Sequence, residues 1–192
     1  MGNLYVPQKH WGFLLEMSKR FKAWLTFIVV AVVLVALDLW LKYWAANNMI
    51  GSPARELIPG ILGLTYTRNT GAAFGLFANF AWGRWALAVV KGVLMVGLLW
   101  YYHRLAGWKG ATTSPEDKPP EAKKLWALQV PIILIFAGGF GNLYDRIVLG
   151  YVRDMLAFRF INFPIFNLAD IFVVVGCFTG AFVIMFILKD LP

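Results

Sequence analysis

The sequence predicts an all-α polytopic membrane protein, in which four transmembrane helices carry a small extracytoplasmic β element. Of its 192 residues, 60% are hydrophobic and 15% are charged, whereas about half are apolar and about a quarter charged in soluble domains. Four apolar runs are each close to the length of about twenty residues that a helix needs to cross a bilayer. Between the first two runs the hydropathy falls, and turn residues with alternating side chains indicate short strands.

The net charge of +8 does not indicate nucleic-acid binding, because no ordered run of basic residues interleaved with aromatic residues occurs. The Lys and Arg residues instead flank the apolar runs, where such residues orient a membrane protein and contact anionic lipids. Membrane lipids are therefore expected partners, and nucleic acid is not. The single cysteine, Cys177, lies within an apolar run and is interpreted as a small buried side chain.

The first half of the chain contains one span and the predicted strands. Residues 1–22 mix aromatic and basic side chains and are assigned to a cytoplasmic or interfacial segment, either an amphipathic helix or a disordered tail. The first span, residues 23–46, is a retained transmembrane helix, since its apolar core is too long for a secretory signal peptide. Residues 47–82 form an outward loop, in which 64–68 alternates as a strand does and 74–77 is an apolar patch.

The second half contains the other three spans. In order, its segments are the second span (83–103), a cytoplasmic linker (104–124), the third span (125–149), an outward loop (150–163) and the fourth span (164–188). Pro164 suits the start of the last helix. Basic residues concentrate in the N-terminal segment and the linker, so the positive-inside rule places both termini in the cytoplasm. We expect one membrane-embedded domain over residues 1–192.

Acidic and amide side chains are concentrated between Gly138 and Asp170, in and beside the last two apolar runs. Ionisable groups at membrane depth are costly unless they are paired or wetted, so they mark a functional site by default. The concentrated residues are Asn142, Asp145, Arg146, Asp154, Asn167 and Asp170. Because Asp154 follows the third span and Asp170 lies near the start of the fourth, both carboxylates are expected at the outer interface.

Two carboxylates that approach closely share one proton, because both cannot ionise cheaply. The ionised member then takes a proton from water, while the neutral member hydrogen-bonds the scissile carbonyl and helps the amine to leave. We therefore predict that Asp154 and Asp170 form a catalytic pair. No His, Cys, Glu or Ser accompanies them, so we expect no metal, no cofactor and no serine nucleophile.

The same residues allow other interpretations. Asp145 is interpreted as half of a salt bridge. Its candidate partners are Arg146, Arg153 and Arg159. Asp38 and Lys42 lie one turn apart in the first span and either anchor the helix end as an ion pair or act in the site. A proton-coupled channel or transporter would use Asp38, Asp145 and Asp170 as a relay, and a noncatalytic assembly or chaperone subunit is a third alternative.

Five sequence blocks follow one another along the chain. They are Asp38 in the first span, RNTGAAF at 68–74, GNLYDR at 141–146, VRD at 152–154 and FNLAD at 166–170. In this order they resemble the bacterial lipoprotein signal peptidases, also called signal peptidase II. The resemblance extends from the first span to the fourth and implies four transmembrane helices with a small extracytoplasmic β-sheet cradle. The N-terminal twenty residues and the segment 107–122 lie outside it.

The resemblance implies an aspartic endopeptidase of the bacterial plasma membrane, which cleaves the signal peptide from prolipoproteins just before a diacylglyceryl-modified cysteine. Asp154 and Asp170 match the catalytic pair of the family. The positions that bind substrate or support the pair are matched by Asn69, Asn142, Arg146 and Asn167. Structural polar positions are matched by Asp38, Lys42 and Asp145. The resemblance also implies inhibition by the cyclic peptide globomycin, and we expect a monomer with its active site near the outer face.

Two positions depart from the pattern of that family. Asp38 is followed by LWLK where a more polar Gln-Xaa-Xaa-Lys run is frequent, and Met155 follows Asp154 where Phe is usual. Neither departure replaces a carboxylate, so both concern local packing and the shape of the substrate. The apolar patch at 74–77 is expected to close over the lipid-bearing residue of a substrate.

Overall fold

The structure, a computed structural model, describes residues 8–71, 82–106 and 122–188. Its elements in chain order are α1 (Gln8–Met49), β1 (Arg55–Ile58), β2 (Leu62–Asn69), α2 (Gly83–Ala106), α3 (Ala122–Val148), β3 (Val152–Phe158) and α4 (Leu168–Phe182), which continues as a π-helical segment (Val183–Ile187). Four stretches are long and apolar enough to cross a membrane: Arg20–Met49, Trp85–Ala106, Ala127–Val148 and Leu168–Ile187. The predicted fold class, four transmembrane helices with a small sheet, is confirmed.

The bundle is arranged around α3. About 44% of the most apolar window of α3 is buried inside the protein, against 11–17% for the other three spans. The outward side chains of those spans are large and apolar, as at Val32, Val93 and Phe178. A surface of this kind suits a bilayer, where lipid chains rather than water are the solvent. Cys177, interpreted from the sequence as buried, is exposed on α4.

Glycines allow α3 and α4 to pack closely. A Cβ atom at Gly138 would overlap the carbonyl oxygen of Ala169, and one at Gly176 would press on Ile135. Small residues at such crossings bring two helix backbones together and supply packing in a medium without a hydrophobic effect. The close approach holds the start of α4 beside the C-terminal half of α3, where several of the predicted site residues lie.

The three strands form an antiparallel sheet in the order β1-β2-β3. In the β2–β3 pair, Thr67 lies opposite Asp154 and Asn69 opposite Val152. The turn between α3 and β3 contains Gly150 with a φ of 82°, a conformation that glycine adopts at no steric cost. The sheet thereby places Asn69 and Asp154 on neighbouring strands at the end of α3.

Strand β3 lies in the segment 150–163, for which the sequence predicted an outward loop. Its residues from Val152 to Ala157 are all buried. A strand that is covered on both faces has no alternation of polar and apolar residues. The charges of Arg153 and Asp154 also interrupt its apolar run, so no periodic signal was present.

Two apolar clusters enclose a polar layer along α1. The first cluster contains Phe27 and Ala31 of α1, packed against residues that include Tyr102 and Ile132. The second contains Ala45 and Met49 of α1, packed against Met155 and Leu156 of β3. Asp38 and Lys42 lie between the two clusters in the sequence of α1, and both are completely buried. Polar groups in this layer have no solvent, so they must satisfy one another.

Several predicted segment boundaries differ from those of the structure or lie outside the described residues. Helix α1 begins at Gln8 and is continuous with the first span, so residues 8–22 are helical. Helix α4 begins at Leu168, whereas its predicted start was Pro164. The apolar patch at 74–77 and most of the linker 104–124 lie outside the described part of the chain.

Candidate active site

Asp170 belongs to the first turn of α4 and takes part in capping that helix. The side chain of Asn167, the N-cap residue, accepts a hydrogen bond from the backbone N–H of Asp170, and the carboxylate of Asp170 accepts one from the backbone N–H of Asn167. This reciprocal arrangement is a capping box, which satisfies two otherwise unpaired donors at a helix start. The sequence signal is the NLAD run at 167–170, in which Asn and Asp are three residues apart.

Asp38 caps the same helix from α1. Its Oδ1 accepts a hydrogen bond of 2.9 Å from the backbone N–H of Ala169. A carboxylate at this position also interacts favourably with the partial positive charge of a helix N-terminus. The start of α4 is therefore fixed by its own N-cap residue and by a side chain of another helix.

Asn142 presents its amide group to Asp170. Its Oδ1 accepts hydrogen bonds from Lys42 Nζ at 2.9 Å and from Asn167 Nδ2 at 3.0 Å. Because an ammonium group only donates, Lys42 requires the oxygen of Asn142 to face it. The amide nitrogen of Asn142 then faces Asp170 and donates to Oδ1 at 2.8 Å.

Asp154 is held by two other asparagines. Asn69 Nδ2 donates to Oδ2 of Asp154 at 2.9 Å, and Asn167 Nδ2 donates to Oδ1 at 2.6 Å. The oxygen of Asn69 accepts from the backbone N–H of Gly71 at 3.1 Å, which fixes its orientation. Each carboxylate of the pair thus accepts hydrogen bonds from two N–H groups, and Asn167 donates to both carboxylates.

Asp154 has an altered protonation equilibrium. Asp154 is only 1% exposed, and this burial raises the pKa of its carboxyl group to about 6. The hydrogen bonds from Asn69 and Asn167 act in the opposite direction, while the negative charge of Asp170 raises the pKa further. A carboxyl group in this range exchanges its proton near neutral pH, as an acid/base catalyst must.

A network of ion pairs lies behind the two carboxylates. Lys42 Nζ is 2.7 Å from Asp38 and 3.8 Å from Asp145. Arg153 binds Asp145 through two side-chain hydrogen bonds of 2.6 and 3.1 Å. Of the three arginines considered for Asp145 from the sequence, Arg153 is its partner. The carboxylates of Asp38 and Asp145 are thereby neutralised inside the protein.

Arg146 lies beside the pair and retains free donors. One of its guanidinium nitrogens, Nη2, donates to the backbone oxygen of Gly71 at 2.9 Å. Within the described part of the chain, its buried Nε and Nη1 atoms have no hydrogen-bond acceptor. Buried donors of this kind are costly to leave unsatisfied. A carbonyl group that entered the adjacent cavity would satisfy them.

The carboxylates of Asp154 and Asp170 face a cavity of about 490 Å³. Its polar wall is formed by Asn69, Lys91, Asn142, Arg146, Asp154 and Asp170. Its apolar wall includes Leu87 of α2, Val174 and Val175 of α4, and Phe158 and Phe163 near the sheet. Helix α2 packs mainly against α3, so the cavity separates α2 from α4. The size and mixed lining suit part of an amphiphilic ligand.

The six residues predicted to form the site or support it are close together in the structure. All but Asn167 line the cavity, and Asn167 hydrogen-bonds to both aspartates. The three predicted structural polar residues lie in the ion-pair network behind them. Gly71 and Lys91 were not assigned to the site from the sequence. For Lys91 the available signal was its position as a single charge in an apolar span.

The described residues contain no group of three or more His, Cys, Asp and Glu side chains that could hold a metal ion. Neither Asp154 nor Asp170 forms an ion pair with a basic residue among those described. Their hydrogen-bond partners are asparagine amides and one backbone N–H, all of them neutral. Both carboxylates are thus held by neutral hydrogen-bond donors.

Comparison with known proteins identifies the family. Residues 30–188 match the family model for signal peptidase (SPase) II. The chain is 36% identical over 148 residues to the lipoprotein signal peptidase of Streptococcus thermophilus. The aligned residues cover 77% of this chain and 84% of that protein. It is 37% identical over 150 residues to the lipoprotein signal peptidase of Enterococcus faecalis, with 78% and 81% covered.

Solved structures agree with this result. A bacterial membrane enzyme determined by the in meso method at 2.3 Å resolution has a TM-score of 0.68 and 27% identity, covering 87% of this chain and 92% of that one. A second such structure, at 1.9 Å resolution, has a TM-score of 0.67 and 29% identity, covering 86% and 94%. This chain is a multi-pass membrane peptidase and belongs to the signal peptidase II family.

Proposed function

We propose that this chain is an aspartic endopeptidase of the bacterial plasma membrane, which removes the signal peptide from prolipoproteins immediately before the diacylglyceryl-modified cysteine. Asp154 and Asp170 are its catalytic residues. The proposal depends on one observation above all: two carboxylates held by neutral donors face one cavity of about 490 Å³. Membership of the signal peptidase II family supports the substrate class.

The proposed reaction needs one proton on the pair of aspartates. The ionised carboxylate takes a proton from water, and the water oxygen bonds to the scissile carbonyl carbon. The protonated carboxyl group first hydrogen-bonds to the carbonyl oxygen and then gives its proton to the amide nitrogen as the C–N bond breaks. The products are a carboxylic acid and an amine, and the pair again holds one proton, now on the other member.

The surrounding residues have separate roles in this proposal. Asn69, Asn142 and Asn167 orient the carboxylates through their amide groups. The unsatisfied donors of Arg146 bind a backbone carbonyl of the substrate. The apolar side of the cavity receives hydrophobic parts of the substrate, which include its lipid chains. Asp38, Lys42 and Asp145 support the site from behind as a buried ion-pair network.

We further propose that the protein works as one peptidase domain with both termini and the linker 104–124 in the cytoplasm. The basic residues of those segments favour this orientation. The sheet and the two aspartates then lie near the outer face of the membrane, where a lipidated precursor presents its cleavage site. We expect a monomer to be active, and we expect globomycin-type cyclic peptides to compete for the cavity.

A proton relay through Asp38, Asp145 and Asp170 has less support. Asp38 is paired with Lys42 at 2.7 Å, and Asp145 with Arg153 at 2.6 Å. A relay through either carboxylate would have to break a buried ion pair, which is costly because it leaves a charge without its partner. The pairing of two of the three relay members therefore favours the peptidase.

The test is cleavage of a diacylglyceryl-modified prolipoprotein by the purified protein in lipid bilayers. We expect Asp154→Asn and Asp170→Asn to fold and to bind substrate but to lose cleavage by about 10²–10⁴-fold, the usual contribution of general acid/base catalysis. Glu56→Gln, an equivalent change at an exposed carboxylate of β1, is the control and should retain activity. Cleavage at the wild-type rate by either aspartate variant would exclude this mechanism.

A further inference from the structure

Lys91 is a membrane-embedded cation to which the reaction above assigns no role. It is the only charged residue between Trp85 and His103 of α2, although a charge inside an apolar span is costly to maintain. The residue is partly buried and lines the cavity together with Asp154 and Asp170. A lysine retained at such a cost, and facing a site, calls for a functional explanation.

The geometry of α2 directs Lys91 towards the two aspartates. The helix begins at Gly83, on the same side of the membrane as the sheet, so Lys91 lies about 12 Å along it at 1.5 Å per residue. The Cα–Cβ bonds of a helix tilt towards its N-terminus. The long side chain of Lys91 therefore extends back towards the polar wall of the cavity, rather than deeper into the bilayer.

The electrostatic environment of Lys91 has a clear pattern. Its ammonium group is largely removed from solvent and is repelled by Arg146 and Lys42, while Asp170 and Asp154 attract it. The charged groups around the pair of aspartates are Asp38 and Lys42 from α1, Lys91 from α2, Asp145 and Arg146 from α3, and Arg153 from β3.

Most of these charges are already balanced by one another. Asp38 is paired with Lys42, and Asp145 with Arg153. Among the described residues, no ion pair occupies Lys91. Lys91 and Arg146 are thus the cations left to balance the two aspartates.

We propose that Lys91 is a positioning residue of this peptidase, whose charge across the cavity keeps one carboxylate of the Asp154–Asp170 pair ionised and available to accept a proton from water. The inference rests on the proposed function, because it assigns Lys91 to the same reaction. Lys91 acts through the aspartates and forms no bond to the reacting atoms. Arg146 adds positive charge from α3, but its Nη2 is committed to Gly71.

The physical basis is the attraction between a cation and a carboxylate in a medium of low polarity. A positive charge favours the ionised form of each aspartate, and so lowers the pH at which the pair gains or loses a proton. For charges separated by several ångströms at an effective dielectric constant of about 20, this attraction is large enough to move a titration midpoint by about one pH unit or more. Its removal shifts both transitions to higher pH.

The experiment measures kcat/KM against pH for wild type, Lys91→Met and Lys91→Arg, with a diacylglyceryl-modified prolipoprotein in bilayers. We expect both limbs of the profile to move to higher pH by about one unit in Lys91→Met. Lys91→Arg keeps the charge and should stay close to wild type. Val90→Met, an uncharged change at an exposed side chain of α2 next to Lys91, should leave the midpoints in place.

Two outcomes overturn the inference. One is a Lys91→Met profile that superimposes on that of wild type, and the other is a Lys91→Arg profile that shifts as far as Lys91→Met. A Lys91→Met variant in which only KM changes, while the midpoints stay where they are in wild type, also overturns the inference. A purely structural role for Lys91 would lower the rate at every pH and leave the midpoints where they are.

A measurement without substrate separates this inference from the proposed function. Infrared spectroscopy of the free protein can follow the band of the protonated carboxyl groups as the pH changes. We expect the midpoint of this titration to move to higher pH in Lys91→Met. Lys91→Gln replaces that variant if Lys91→Met does not fold. An unshifted band, together with inactive Asp154→Asn, overturns the role of Lys91 alone. Full activity of Asp154→Asn would instead overturn the catalytic pair itself.

Discussion

Three asparagine side chains hold the two aspartates in place without neutralising them. Asn69 and Asn167 donate to Asp154, and Asn142 donates to Asp170. An arginine in any of these positions would form an ion pair and draw the proton out of the pair. An amide N–H orients the carboxylate through a hydrogen bond and adds no positive charge beside it. In the proposed mechanism, asparagine donors therefore hold both carboxylates in place and leave the pair able to exchange its proton.

Asn167 has two roles that substitutions can separate. Asn167→Ser keeps a good N-cap residue for α4 but is too short to reach Asp154, while Asn167→Ala loses both functions. We expect both variants to lower kcat by about 10²-fold, since small displacements of catalytic groups have effects of this size. The alanine variant should be less stable than the serine variant by about 1 kcal/mol, measured by thermal unfolding in detergent. Equal stability of the two variants would show that capping by Asn167 is unimportant.

The sequence predicted Asp154 and Asp170 as a pair, because ionisable residues beside apolar spans are few, and the structure places both at one cavity. It was insufficient to orient their partners. The orientation of Asn142 depends on Lys42, which is 100 residues away in the chain. Contacts of this kind leave no periodic pattern, so only the folded structure reveals them.

At the scale of elements, α1 holds the start of α4. Asp38 accepts a hydrogen bond from Ala169, 131 residues further along the chain. The i, i+4 spacing of Asp38 and Lys42 predicted their ion pair, but not this contact. Strand β3 was also missed, because a fully buried strand with two charged residues does not alternate. In both cases a long-range contact determines local structure, and local patterns do not report it.

The ion pair in α1 can be tested with a double-mutant cycle. Asp38→Leu and Lys42→Met each leave a buried charge without its nearest partner, at a cost of about 3–5 kcal/mol. The double variant removes both charges. We expect its loss of stability, measured by thermal unfolding in detergent, to be smaller than the sum of the single losses by at least about 1 kcal/mol. Additive losses would mean that the two side chains act independently.

At the scale of the whole molecule, the buried Asp154 links stability to pH. Its pKa is about 6 in the folded protein, against an ordinary value of 3.8. Between pH 3.8 and about pH 6, Asp154 holds a proton in the folded state that it has released in the unfolded state. The contribution of Asp154 to the free energy of unfolding is therefore lost as the pH rises through this range. The burial of the Asp154 carboxyl thus lowers the stability of the fold near neutral pH.

The predicted change is measurable as a midpoint of thermal unfolding at several pH values. From pH 4 to pH 7 we expect Asp154 to lower the free energy of unfolding by about 2–3 kcal/mol, from 1.36 kcal/mol per pKa unit. The Asp154→Asn variant lacks the titrating group and is the control. The difference between wild type and variant should therefore grow in favour of the variant as pH rises. A difference that is constant with pH would contradict the assignment of a proton to Asp154.

The cavity between α2 and α4 has a consequence for enzyme kinetics. A substrate held in the bilayer by its own apolar segment and lipid chains reaches such an opening by two-dimensional diffusion. Its effective concentration is then a mole fraction among lipids, and adding inert phospholipid dilutes it even when the volume of the sample is unchanged. In the proposed reaction, the released signal peptide would stay in the same plane as a competitor, so turnover would slow as product accumulates until another process clears it.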